Sequence, residues 1–286
     1  MPEIHTSVAG FRAALDAARA AGATVGLVPT MGYLHDGHAS LMRAARAECD
    51  VVAATIFVNP LQFAAGEDLS TYPRDLDRDL RYLREAGADL VWTPRVEDIY
   101  PSGFATTVTV GGITDVLEGA RRPGHFTGVA TVVAVLLGAV SPTRAYFGQK
   151  DAQQVRVIQR MATDLALPLD VVVGPTVRES DGLAMSSRNT YLSEAERASA
   201  SVLYRALGTA RAAAEGGELD AHGLRRLMAQ LIVGEPMAEI DYVSVADPDS
   251  LAELATIDPA RGALLSLAVR FGRTRLIDNV VLPGSR

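Results

Sequence analysis

The chain predicts an α/β protein: a Rossmann-like parallel sheet in an N-terminal domain, followed by a smaller α+β domain. Three observations carry this. Near-continuous apolar runs of strand length recur over the first two-thirds, "TVGLVP", "VVAATIFV", "ADLVWTP", "RAYFG" and "LPLDVVVGP". Helix-like stretches separate them, and doubly buried strands alternating with helices mark a parallel sheet covered on both faces. Beyond about Asn189 the strand-like runs "AEIDYVSVAD", "ALLSLAVRFG" and "TRLIDNVVL" follow with short connections only, which predicts antiparallel pairing.

Taken in order, "SVAGFRAALDAARAAG" reads as a helix with Ser7 as its N-cap. "GHASLMRAARAE" and "DLDRDLRYLREAG" are amphipathic, the second stopping at Gly87. "VATVVAVLLGAV" (129–140) is apolar all round and suits a buried helix, being too short to span a bilayer. "DAQQVRVIQRMATDL" completes the first series. "SEAERASASVLYRALGTARAAA" and "DAHGLRRLMAQLI" read as two surface helices. The domains are expected over 1–176 and 177–286, with the boundary near Pro175–Val177. Cys49, Trp92 and Met161 read as packing residues.

Composition excludes several roles. A net charge of −7 argues against long nucleic acids, which reward a basic face. The N-terminus has no basic stretch leading into an apolar core, so no signal peptide is expected, and no membrane association either. One cysteine in 286 residues precludes an internal disulfide and suits a reducing cytoplasm. Of 27 basic side chains, only Lys150 is lysine. Arginine is a planar fork and lysine a compact ammonium on a flexible stem, so the exception marks a place for chemistry, or else a surface loop that kept it by chance.

Ligands of parallel α/β sheets bind beyond the carboxyl ends of the strands. "PTMGYLHDGH", "NPLQF", "GQKD" and "VRESDGLAMSSRN" all fall there and are expected to converge on one crevice. His35 and His38 flank Gly37 where a strand gives way to a helix, and a helix N-terminus attracts anions. The chain has neither G-x-x-x-x-G-K-[ST] nor a clear G-x-G-x-x-G. Taken alone, the histidine pair also fits zinc ligation, without neighbours to complete a site, or plain capping of an exposed turn.

The H-D-G-H stretch resembles the H-x-G-H signature of the adenylate-forming nucleotidyltransferases, and "AMSSR" (184–188) resembles their second signature, a mobile loop that closes on the triphosphate. With "FVNPLQF", "EDLSTYPRDL", "EGARRPGHFTGVATVV" and "YFGQKDAQQ", the order of motifs over 25–192 resembles the pantoate–β-alanine ligases, the pantothenate synthetase family. The resemblance implies ATP-dependent condensation of (R)-pantoate with β-alanine to pantothenate, releasing AMP and pyrophosphate through a pantoyl adenylate. It implies Mg²⁺ brought in with ATP, no prosthetic group, a cytoplasmic homodimer and a C-terminal domain acting as a lid.

It also implies roles. His35, His38, Lys150, Ser186, Ser187 and Arg188 would be catalytic, directed at the phosphates. Pro29, Thr30, Met31, Gly37, Gly148, Asp151, Val177 and Met185 would complete the ATP site. Met31, Asn59, Gln62 and Gln154 would hold pantoate, the two glutamines offering donor and acceptor to a polyhydroxy acid. Arg122 and His125 would lie at the substrate entrance. Gln149 stands where the family usually has glutamate, and Arg78 and Asp79 stand where some relatives have acidic neighbours of Mg²⁺; Asp79 is the one possible protein ligand, with the metal otherwise held by the phosphates. Another nucleotidyltransferase would keep H-x-G-H without the "NPLQF" and "GQKDAQQ" pair.

Overall fold

A computed structural model describes residues 2–64 and 66–285. In chain order the regular elements begin with β1 (Glu3–His5), α1 (Val8–Ala20), β2 (Val25–Thr30), α2 (Asp36–Glu48), β3 (Val51–Ile56), α3 (Leu76–Ala86) and β4 (Leu90–Trp92). There follow α4 (Val96–Ile99), α5 (Leu117–Arg121), α6 (His125–Val140), β5 (Arg144–Gly148), α7 (Ala152–Asp164) and β6 (Asp170–Gly174). The remainder is α8 (Glu194–Ala200), α9 (Val202–Glu215), α10 (Ala221–Val233), β7 (Ala238–Ala246), β8 (Gly262–Phe271) and β9 (Thr274–Pro283). The chain divides into two compact units, one of 1–114, 118–149 and 154–175, the other of 115–117, 150–153 and 176–286.

The first unit holds a six-stranded sheet of order β1-β4-β3-β2-β5-β6, every pair parallel. Its strand order reverses between β2 and β5, so their carboxyl ends form the switch point where α/β sheets take ligands. Val28, Val52, Ala54 and Tyr146 meet Ala39, Met42, Ala45 and Leu83 of α2 and α3 on one face. Leu27, Ala53, Trp92 and Phe147 meet Phe11, Val129, Val133 and Ile158 of α1, α6 and α7 on the other. Burial on both faces is why the strands read as unbroken apolar runs. Cys49, Trp92 and Met161 are core, as expected. Ser7 caps α1 by accepting the Gly10 N–H, and Gly87 ends α3 in the left-handed conformation at φ 90°.

In the second unit β7, β8 and β9 form an antiparallel meander. Its inner face, with Val245, Leu265, Leu267 and Phe271, closes on Leu203, Ala206, Leu224 and Met228 of α9 and α10. The first expected C-terminal helix is two: α8 ends at Ala200, Ser201 caps it, and α9 begins at Val202. A serine-rich "SAS" gives the backbone competing side-chain partners there, and Ser201 Oγ donates to the Ala198 carbonyl. These helices also carry buried stripes rather than lying only on the surface. The short elements β1, α4 and α5 had no sequence signal, because so few residues establish no period. No helix among the described residues is long and apolar enough to cross a membrane.

Candidate active site

The turn from β2 into α2 is built by its own histidines. His35 is the N-cap of α2, in extended conformation, and its Nδ1 accepts the Gly37 N–H at 3.1 Å. His38 reaches back, its Nδ1 accepting the His35 N–H at 3.3 Å. This is a capping box made of two imidazoles, whose rings lie 4.1 Å apart. A ring nitrogen that accepts carries no proton, so in each neutral ring the proton sits on Nε2. Nδ1 of each ring thus serves the helix N-terminus, and capping by itself leaves the proton on Nε2. Gly37 has a local reason beyond ligand approach, because a Cβ there would lie 2.9 Å from the His35 ring.

The approach to that turn is held from below. Thr30 Oγ1 donates to the Thr55 carbonyl at 2.7 Å and accepts the Gly32 N–H at 3.3 Å. Asp79, on α3 and 1% exposed, accepts the Tyr33 and Leu34 N–H groups, each at 2.7 Å. These bonds hold Tyr33 at φ 50° and Gly32 at φ 82°, a left-handed pair that turns the chain toward His35. Burial raises the Asp79 pKa despite the two amides and nearby Arg78. The Arg78 guanidinium lies over the Tyr33 and Tyr82 rings, 4.7 and 4.8 Å from their centres. Each Asp79 oxygen accepts one of these amides, and no group of three potential metal-ligating side chains lies together among the described residues.

The amide of Gln62 is fixed by a chain of hydrogen bonds. Tyr100 donates its hydroxyl to Asn59 Oδ1 at 2.7 Å. Asn59 Nδ2 donates to Gln62 Oε1 at 3.1 Å and to the Gly128 carbonyl at 3.1 Å. Gln62 Nε2 then points to Met31 Sδ at 3.0 Å, which joins this set to the histidine turn four residues on. Burial pushes the Tyr100 hydroxyl pKa well up, so it stays a donor. Behind Gln62, His125 Nδ1 lies 2.8 Å from the Gln62 carbonyl and Arg122 Nη2 donates to the same oxygen at 3.3 Å. Arg122 also grips Glu67 with Nε and Nη2, both at 2.7 Å, and places Nη1 3.1 Å from His125 Nε2. A carbonyl can only accept, so His125 carries its proton on Nδ1 and accepts from Arg122 on Nε2. Burial, then the Arg122 charge, lowers the His125 pKa to about 4. Burial alone would raise the Glu67 pKa; the bonds and charge of Arg122 outweigh it and lower it.

Gln154, half-buried on the first turn of α7, joins none of these bonds. Pro29 and Thr30 end β2, and Gly148 ends β5.

The second unit holds the rest. Lys150 sits in a short 3-10 turn with its Nζ 3.6 Å from Asp151, and its carbonyl accepts from Asn279 Nδ2 at 2.8 Å. Residues 178–184 form a tight hairpin, in which Arg178 bridges Ala184 and Gly182 turns at φ 92°. Met185 then donates its N–H to the Val177 carbonyl at 3.0 Å. Ser186 caps the turn Ser187–Tyr191 by accepting the Arg188 N–H at 3.2 Å. Asn189 ties the turn to Glu179, and Arg197 binds Glu179 and Asp181, which lowers the Asp181 pKa.

Sequence reasoning missed Tyr100, Glu67, the clamping use of Asp79, and Asp278 with Asn279. Only Asp79 left a trace: it stands four residues before Leu83, on the buried stripe of α3 where a carboxylate is out of place.

Comparison with known proteins follows the same lines. The chain is 59% identical to the pantothenate synthetase of Herpetosiphon aurantiacus over 266 residues, 93% of this chain and 96% of that one. It is 57% identical to that of Chloroflexus aurantiacus over 284 residues, 99% of each. Its fold matches the crystal structure of pantothenate synthetase from Thermus thermophilus with a TM-score of 0.92 at 49% identity, covering 97% and 98% of the two chains. A pantoate-beta-alanine ligase from Francisella tularensis, complexed with beta-gamma ATP and beta-alanine, matches at TM-score 0.80 and 32% identity over 98% of both chains. The family model for pantoate-beta-alanine ligase spans residues 3–281, and the chain belongs to that family.

Proposed function

We propose that the protein condenses (R)-pantoate with β-alanine at the expense of ATP, giving pantothenate, AMP and pyrophosphate through an enzyme-bound pantoyl adenylate. Family membership supports the overall reaction, and the ATP and β-alanine complex of the Francisella tularensis relative supports its substrates. The observation that carries the chemistry is the Met31–Gln62 contact. It ties a pre-oriented amide, suited to reading a hydroxy acid, to the turn that presents the two Nε2–H donors. An acid held beside a triphosphate is set for attack on phosphorus.

Pantoate is already a carboxylate at neutral pH, so the first step needs alignment and anion neutralisation rather than a base. Its oxygen bonds to the α-phosphorus as the bond to the leaving pyrophosphate breaks. His35 and His38 donate to the departing phosphates, and Lys150, Ser186, Ser187 and Arg188 stabilise the charge that builds there. Met31, Asn59, Gln62 and Gln154 hold the pantoate, Arg122 and His125 standing behind Gln62 on the entrance side. The uncharged amine of β-alanine then attacks the acyl carbon and AMP leaves with the C–O electron pair. Magnesium enters as the MgATP substrate, Asp79 serving the turn. Residues 177–286 act as the lid that keeps water from the mixed anhydride. The family reading supports a homodimer, and the one buried cysteine suits a cytoplasmic enzyme.

The test is isotope exchange. Labelled pyrophosphate should enter ATP when pantoate and Mg²⁺ are present and β-alanine is absent. Exchange that strictly requires β-alanine, or ADP as product, would overturn the adenylate route.

A further inference from the structure

Strand β9 carries two adjacent buried polar side chains, Asp278 at 1% exposure and Asn279 at 4%. Neighbours on a strand face opposite ways, so each face of β9 must supply a polar partner at this point. Burying a carboxylate is costly unless it is paired and hydrogen-bonded. Asp278 is: Arg178 donates to it from Nη1 at 2.6 Å and Nη2 at 3.0 Å, and the Asn279 N–H adds a third bond at 2.8 Å. The same Arg178 donates to the Gly182 carbonyl at 3.0 Å and lies 4.8 Å over the Tyr204 ring. Asp278 thus fixes the hairpin from which Met185–Arg188 extend. Asn279 turns the other way and donates Nδ2 to the Lys150 carbonyl at 2.8 Å. One dipeptide therefore grips the base of the serine–arginine turn and the backbone of the chain's only lysine.

We propose that Asp278 and Asn279 are positioning residues for the adenylation step, Asn279 acting through Lys150 and Asp278 through the hairpin of residues 178–184. The inference rests on the phosphate-directed role proposed for Lys150. A flexible four-carbon stem aims its ammonium only as well as its own backbone is held, and the Asn279 amide supplies that hold.

The test is a double-mutant cycle on pyrophosphate exchange at saturating pantoate, using Asn279→Ala and, as a variant of unchanged size that cannot donate to the Lys150 carbonyl, Asn279→Asp. Each should lower the exchange rate on the order of 10- to 100-fold, the scale of a misplaced catalytic group, with the pantoate KM unchanged. In the Lys150→Ala background the same changes should cost nothing more, because residues that act as a unit are not additive. Equal fold-losses in both backgrounds, or a wild-type rate in a folded Asn279 variant, would overturn the positioning role while leaving Lys150 in place. A Lys150→Ala enzyme with normal exchange would instead overturn the Lys150 role, and the inference with it.

Discussion

His125 is held neutral between a carbonyl and a guanidinium, and this has a pH signature. Its folded pKa, about 4, lies below the ordinary 6.5, chiefly through burial. As pH falls, the unfolded chain takes the proton first, so the stability tied to the neutral ring is full above about 6.5. It is lost progressively between about 6.5 and 4 and changes no further below that, a swing of up to about 3 kcal/mol. His125→Gln should therefore flatten the fall in melting temperature over that window; an unchanged slope would remove His125 as its source. The other two site histidines predict a kinetic effect. His38→Ala removes an Nε2–H donor and the acceptor for the His35 N–H together, so pyrophosphate exchange should slow on the order of 10²-fold. Normal single-turnover release of pyrophosphate would remove His38 from the phosphate site.

At the scale of elements, the decisive contact is between α6 and the turn at Asn59–Gln62. Gly128 is where they meet, because a Cβ there would run into the Leu61 carbonyl and the Gln62 amide nitrogen. Its own carbonyl accepts from Asn59 at 3.1 Å, so the close approach also orients the Asn59 and Gln62 amides proposed to hold pantoate. Gly128→Ala lies in a helix, where alanine gains roughly 1 kcal/mol of intrinsic propensity. The collision is with backbone and cannot be relieved by rotating a side chain, so the variant should lose stability by about 1–3 kcal/mol instead. Thermal unfolding measures that sign directly. Displacement of the turn should also raise the pantoate KM more than the ATP KM, and equal shifts in both would mean that Gly128 matters only to packing.

For the whole molecule, a pantoyl adenylate that stays bound should stabilise the native state beyond either substrate alone. A ligand at a hundred times its dissociation constant adds about 2.7 kcal/mol. ATP, Mg²⁺ and pantoate together, without β-alanine, should raise the melting temperature by more than the sum of the separate shifts. Merely additive shifts would argue against an accumulated intermediate.

The sequence by itself determined the longer elements, since doubly buried strands and one-sided helices write themselves as uninterrupted or periodic apolar runs. It also marked the histidine turn and Lys150 as candidates, because a signature confined to a few consecutive residues survives without a structure, while the two glutamines were implied only by the family resemblance. Tertiary structure alone decided what holds them. The Asp79 bonds to Tyr33 and Leu34, the Tyr100 bond to Asn59, and the reach of Asn279 to Lys150 join residues 46, 45, 41 and 129 positions apart. No local pattern encodes such pairs: a buried aspartate in "RDLDRDL" looks like one more charge on a solvated helix. Its partners are backbone amides, and every residue but proline offers one of those.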